Sequence, residues 1–122
     1  MKNNYTVIGG VLGFLGVAIG AFGAHSLKPY IVPELLETYK TGVLYHLIHA
    51  GVIFAIGLSA KKEFFKGALL LAIGVILFSF SLYVYSLTNI KSLAMITPFG
   101  GISFLAGWLL IIIAAVRNNR QN

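Results

Sequence analysis

The sequence predicts an all-α integral membrane protein: a four-helix bundle with a short outer-surface helix between spans 1 and 2. Three observations carry this. Apolar residues make up 58% of the chain and charged ones only 10%, where a soluble domain carries about a quarter charged. The mean hydropathy of +0.91 comes from four apolar runs, each near the roughly 20 residues a helix needs to cross about 30 Å of hydrocarbon. The runs do not alternate polar with apolar positions, as the strands of a membrane barrel do. At 122 residues, the chain is read as a single transmembrane domain, 1–122.

The first run, 5–24, is uncharged. Lys2 and the small residues at its end resemble a signal peptide, but the apolar stretch exceeds a signal core and is read as a retained span. Its glycines, Gly9, Gly13, Gly16, Gly20 and Gly23, step by 4, 3, 4 and 3 residues and draw one seam down a helix face. Glycine is a poor helix former in water, so such a seam is expected where another backbone comes close. It either holds one protomer together, the simpler reading, or mates two protomers into a homo-oligomer.

Segment 26–42 is the one long polar connection. Pro29 and Pro33 end any helix before them. Pro33 also suits the first position of a new helix, with Glu34 and Glu37 in its opening turns. A surface helix over 33–40 is expected, either separate from the second span or continuous with it, with Leu35, Leu36, Tyr39 and Val43 as its apolar face.

The second run, 41–60, carries His46 and His49 one helical turn apart. A tight basic turn with Lys61, Lys62 and Lys66 follows, beside lipid headgroups, where the charge is read as topogenic, with binding of anionic lipid as the alternative. The third run, 67–87, repeats the small residues Gly67, Gly74 and Ser81 by seven. The fourth, 100–116, is preceded by Thr97 and Pro98, which suit an N-cap and a first helical residue.

Orientation follows from charge. With the N-terminus inside, the cytoplasmic face holds Lys2, Lys61, Lys62, Lys66, Arg117 and Arg120, six cations against three outside (Lys28, Lys40 and Lys91). The positive-inside rule then places both termini in the cytoplasm.

The net charge of +6 does not indicate nucleic-acid binding, because the basic residues flank apolar segments and form no patch with stacking aromatics. The chain has no cysteine, which excludes disulfides, thiolate metal sites and thiol nucleophiles. The candidate polar or ligand cluster is His25, His46 and His49 with Glu34 and Glu37, expected to meet at the outer mouth of the bundle. If the second span opens near Thr41, the two histidines lie roughly 8–12 Å from that end. An HxxH pair is a weak metal signal, since it lacks the glutamate of HExxH and zinc takes four ligands. The four spans contain no Asp, Glu, Lys or Arg, which disfavours a proton pump. The favoured reading is neutral histidines that hydrogen-bond a neighbouring helix, Tyr45, a serine hydroxyl or backbone. No nucleophile elbow, phosphate loop or dinucleotide fingerprint is present. The expectation is therefore a non-enzymatic membrane protein with the lipid bilayer as its partner and with no metal or cofactor. The alternative is a small transporter or a ligand- or metal-binding protein that uses the histidine cluster.

Three stretches, "GAFGAHSLK" (20–28), "TGVLYHLIHA" (41–50) and "TPFGGISFLAGW" (97–108), resemble the signature segments of the YgdD/YwdK-like small membrane proteins, a domain-of-unknown-function family. The resemblance spans nearly the whole chain. It implies a four-span protein of the bacterial inner membrane and carries no reaction or substrate. His25, His46, His49, Thr97 and Pro98 all fall inside these segments.

Overall fold

The computed structural model describes residues 3–121. Lys2, counted above for orientation, lies outside them. The described residues are almost wholly helical. Helix α1 (Tyr5–Ala24) is followed by two 3-10 turns, Lys28–Tyr30 and Pro33–Leu35, and then by α2 (Leu36–Ser59). After a 3-10 turn (Lys62–Phe64), the third span is built from α3 (Phe65–Gly74), a π-helical segment (Val75–Phe80) and α4 (Ser81–Thr88). A further 3-10 turn (Lys91–Met95) leads to α5 (Thr97–Gln121). Four stretches are long and apolar enough to cross a membrane: Tyr5–Ala24, Pro33–Ser59, Lys62–Thr88 and Lys91–Gln121.

The bundle is two antiparallel hairpins packed together. Gly9 of α1 faces Phe54, Gly16 faces Leu47 and His46, Gly20 faces Val43, and Gly23 faces Tyr39. A Cβ added at Gly9 would strike the Phe54 backbone, and one at Gly16 would lie 2.7 Å from Leu47 Cδ2. The seam is thus filled by α2 of the same chain. Gly13 is different: no atom outside its own helix neighbourhood stands within 4 Å of an added Cβ. The second hairpin uses the same device. Gly67 approaches Gly107 and Ile111, Gly74 takes the Phe104 ring, and Gly100 lies against the Phe78 backbone.

Leu12, Ala50, Ile53, Leu71, Val75 and Phe104 form the central core. Half of the most apolar window of the third span is buried, against 22% for the first and 17% for the fourth, so the third span is the inner one. The outer faces of α1 and α5 expose large side chains such as Phe14 and Leu105, at 75% and 72%. In water, apolar surface on this scale drives association. In a bilayer, acyl chains cover it.

Two boundaries differ from the sequence expectation. The connecting helix expected over 33–40 takes the form of a 3-10 turn, Pro33–Leu35, that runs straight into α2. Helix α2 therefore begins at Leu36, ahead of the span expected from Thr41. Glu37 and Lys40 do not prevent this: their side chains are 86% and 62% exposed and pair with each other at 3.6 Å. The last helix likewise continues beyond Val116 through Arg117 and Arg120 to Gln121, where cations suit the C-terminal end of a helix dipole.

Candidate functional site

The helical register sets the depth of the two histidines. His46 lies ten residues after the start of α2 and His49 ten before its end, about 15 Å from either end at 1.5 Å per residue. They occupy mid-helix, not an outer mouth. The expected depth of 8–12 Å assumed a span that starts at Thr41. Both residues are buried, His46 completely and His49 to 5% exposure.

His46 joins three spans. Its Nε2 lies 2.7 Å from the Leu12 carbonyl of α1, and its Nδ1 lies 2.8 Å from Tyr83 Oη of α4. A carbonyl can only accept, so Nε2 carries a proton and donates to Leu12. A cation buried with no carboxylate beside it would be costly, so Nδ1 is bare and Tyr83 donates to it. His49 joins α2 to α5. Its Nδ1 lies 2.7 Å from the Tyr45 carbonyl, and Trp108 Nε1–H donates to its Nε2 at 3.0 Å. Indole N–H is only a donor. Nε2 is therefore bare, and the proton sits on Nδ1. The ring also stacks on Phe104, with centroids 3.9 Å apart. The two histidines hold opposite neutral tautomers, and both nitrogens of each ring are engaged.

The glycines make these bonds accessible. Helical side chains lean toward the N-terminus and cover the carbonyl of the preceding turn. Gly16 stands four residues after Leu12, and its missing Cβ uncovers that carbonyl for His46. Gly23 stands four residues after Ile19, whose carbonyl accepts from Tyr39 Oη at 2.6 Å. Gly74 stands four residues after Leu70, whose carbonyl accepts from Ser103 Oγ at 2.6 Å. Gly42 makes room for the Tyr83 ring, where an added Cβ would lie 2.9 Å from Cε1. The Gly42 carbonyl in turn accepts from Ser79 Oγ of the π-helical segment at 2.8 Å.

The structure does not gather the expected polar cluster. His25 is exposed at the end of α1, thirteen residues beyond Leu12 and thus about 20 Å along the axis from the His46 contact. Glu34 and Glu37 are exposed, and Glu37 pairs with Lys40. Among the described residues, no group of three His, Cys, Asp or Glu side chains is placed to hold a metal ion. Thr97 is itself the first residue of α5, and its Oγ1 bonds Ser81 Oγ at 2.7 Å. Pro98 follows it in the first turn and is exposed.

The sequence gives no sign that Tyr83, Ser79 and Trp108 supply polar partners to α2. A glycine four residues on marks the Leu12, Ile19 and Leu70 acceptors, but no such mark accompanies the Tyr83, Ser79 and Trp108 links.

This geometry defines a class: a small four-span membrane bundle whose spans are tied together at mid-depth by neutral histidines. The chain belongs to the family described as "Protein of unknown function (DUF423)", whose model matches residues 19–101. It is 39% identical over 118 residues to the UPF0382 membrane protein YwdK of Bacillus subtilis, covering 93% of this chain and 96% of that one. It is 35% identical over 119 residues to the UPF0382 inner membrane protein YgdD of Escherichia coli K12, covering 94% and 91%. A UPF0382 membrane protein of Haemophilus influenzae is 34% identical over 121 residues, covering 97% and 98%. No solved structure matches the chain.

Proposed function

We propose that the protein is a non-enzymatic component of the bacterial inner membrane, a rigid bundle with both termini in the cytoplasm that stabilises the bilayer or a partner complex. The carrying observation is the engagement of all four ring nitrogens of His46 and His49 by groups within the bundle. A metal ligand needs a free lone pair and a proton relay needs an open partner. Here the bare nitrogens are taken by Tyr83 and Trp108.

The opposite tautomers choose the test. Glutamine at His46 can donate to Leu12 from a position near Nε2, and asparagine at His49 can donate to Tyr45 from a position near Nδ1. His46→Gln and His49→Asn are expected to keep most of the thermal stability and the cellular phenotype. His46→Ala and His49→Ala should each cost about 1–2 kcal/mol by stranding buried partners. Amide variants that fold with wild-type stability yet lose the whole phenotype would overturn the structural reading and favour a ligand-binding or transport role.

A further inference from the structure

The end of the bundle where α1 starts and α5 ends holds a cleft of about 420 Å³ between α3 and α5. This is within the roughly 300–1,000 Å³ of ordinary ligand sites. Lys62, Lys66 and Arg117 line it, with Glu63 the one carboxylate in its wall. Among the described residues these cations form no ion pair, since the one pair found is Lys40–Glu37 at the other end. Three cations converge on one cleft: Lys62 from the 3-10 turn, Lys66 from the start of α3 and Arg117 from the far end of α5.

The wall on α5 is graded. Leu110, Ile113, Ala114 and Arg117 line the cleft at helical spacings of three and four, so they form one stripe. Arg117 lies twenty residues after Thr97, about 30 Å along the helix. That matches the hydrocarbon thickness and puts its guanidinium where acyl chains give way to headgroups. Below it the stripe is purely apolar. A water-soluble anion would use the cations and leave Leu110 and Ile113 without a role. A phospholipid uses both.

We propose that this cleft binds one anionic phospholipid, with its phosphate held by Lys62, Lys66 and Arg117 and an acyl chain lying on Leu110 and Ile113. The guanidinium suits bidentate contact with phosphate oxygens, and the two ammonium groups add point charges. Glu63 at the rim repels a second anionic group and favours a singly charged headgroup. The topogenic role of these cations stands beside this one.

The test uses full-length protein in a neutral detergent, with thermal stability followed on titration with short-chain phosphatidylglycerol, phosphatidylcholine or inorganic phosphate. Phosphatidylglycerol should give a saturable rise in Tm, and phosphatidylcholine and phosphate at equal concentration should give none. Lys62→Gln, Lys66→Gln and Arg117→Gln change exposed side chains and should leave the lipid-free Tm unchanged. Each should weaken the phosphatidylglycerol effect roughly fivefold, the factor expected for one basic residue near an anionic headgroup. Lys28→Gln with Lys40→Gln, at the opposite end, should leave it intact. An equal rise with phosphatidylcholine, an equal rise with phosphate, or an undiminished rise in the triple glutamine variant would each overturn the proposal. A loss of the effect in the Lys28/Lys40 variant would do the same by moving the site to the other face.

Discussion

At the scale of single residues, glycine in this protein does two things that a packing argument alone separates poorly. It brings backbones together, and it uncovers carbonyls for donors on other helices. Gly16 does both, beside the His46 ring and four residues after Leu12. Gly16→Leu should therefore destabilise the protein by about 1–3 kcal/mol through overpacking, with loss of the His46–Leu12 bond added. Interhelical hydrogen bonds in membranes average roughly 0.6 kcal/mol, so overpacking is the larger share. Gly13 belongs to the same seam by sequence spacing, but its face is open. Gly13→Ala should stay within about 0.5 kcal/mol of the parent or exceed it, since alanine is the better helix former. Thermal melts of the two variants in one detergent decide this, and equal losses would mean that the seam does not discriminate by contact.

At the scale of elements, the spans were legible where composition alone governs. The first span, 5–24, coincides with α1 because an uncharged run bounded by polar residues leaves no other choice. Helix α2 starts ahead of the expected span 41–60, and α5 runs past both ends of 100–116. Glu37, Lys40, Arg117 and Arg120 show that a helix carries charges past the hydrocarbon when their side chains reach water. The π-helical turn at Val75–Phe80 has no counterpart in the pattern of apolar residues. Tertiary contacts accompany it: Phe78 lies against Gly100, and Ser79 Oγ donates to the Gly42 carbonyl. The histidine partners were equally illegible. Tyr83 is 37 residues from His46 and Trp108 is 59 from His49, and only the folded register brings them together. The expected polar mouth does not form because His25 stands at the end of α1, about 20 Å along the axis from the His46–Leu12 contact.

At the scale of the whole molecule, two antiparallel hairpins put the start of α1 and the end of α5 on one face. Lys61, Lys62 and Lys66 of the α2–α3 turn lie on that face with Arg117 and Arg120. A reporter fused after Asn122, a residue outside those described, should read as cytoplasmic in an inside-versus-outside assay. An external reading would reverse the orientation while leaving the bundle unchanged. The interior of this molecule is held by a few polar links set among close-packed glycines, and the claim that His46 and His49 are links and not ligands is the one to test first. Histidine-selective 15N NMR of the detergent-solubilised protein at neutral pH, with each signal assigned by substituting one histidine at a time, tests it most directly. The account predicts two neutral rings of opposite tautomer, protonated on Nε2 at His46 and on Nδ1 at His49, both unmoved by added zinc. A shared tautomer, a doubly protonated ring, or a zinc-dependent shift at either residue would contradict it.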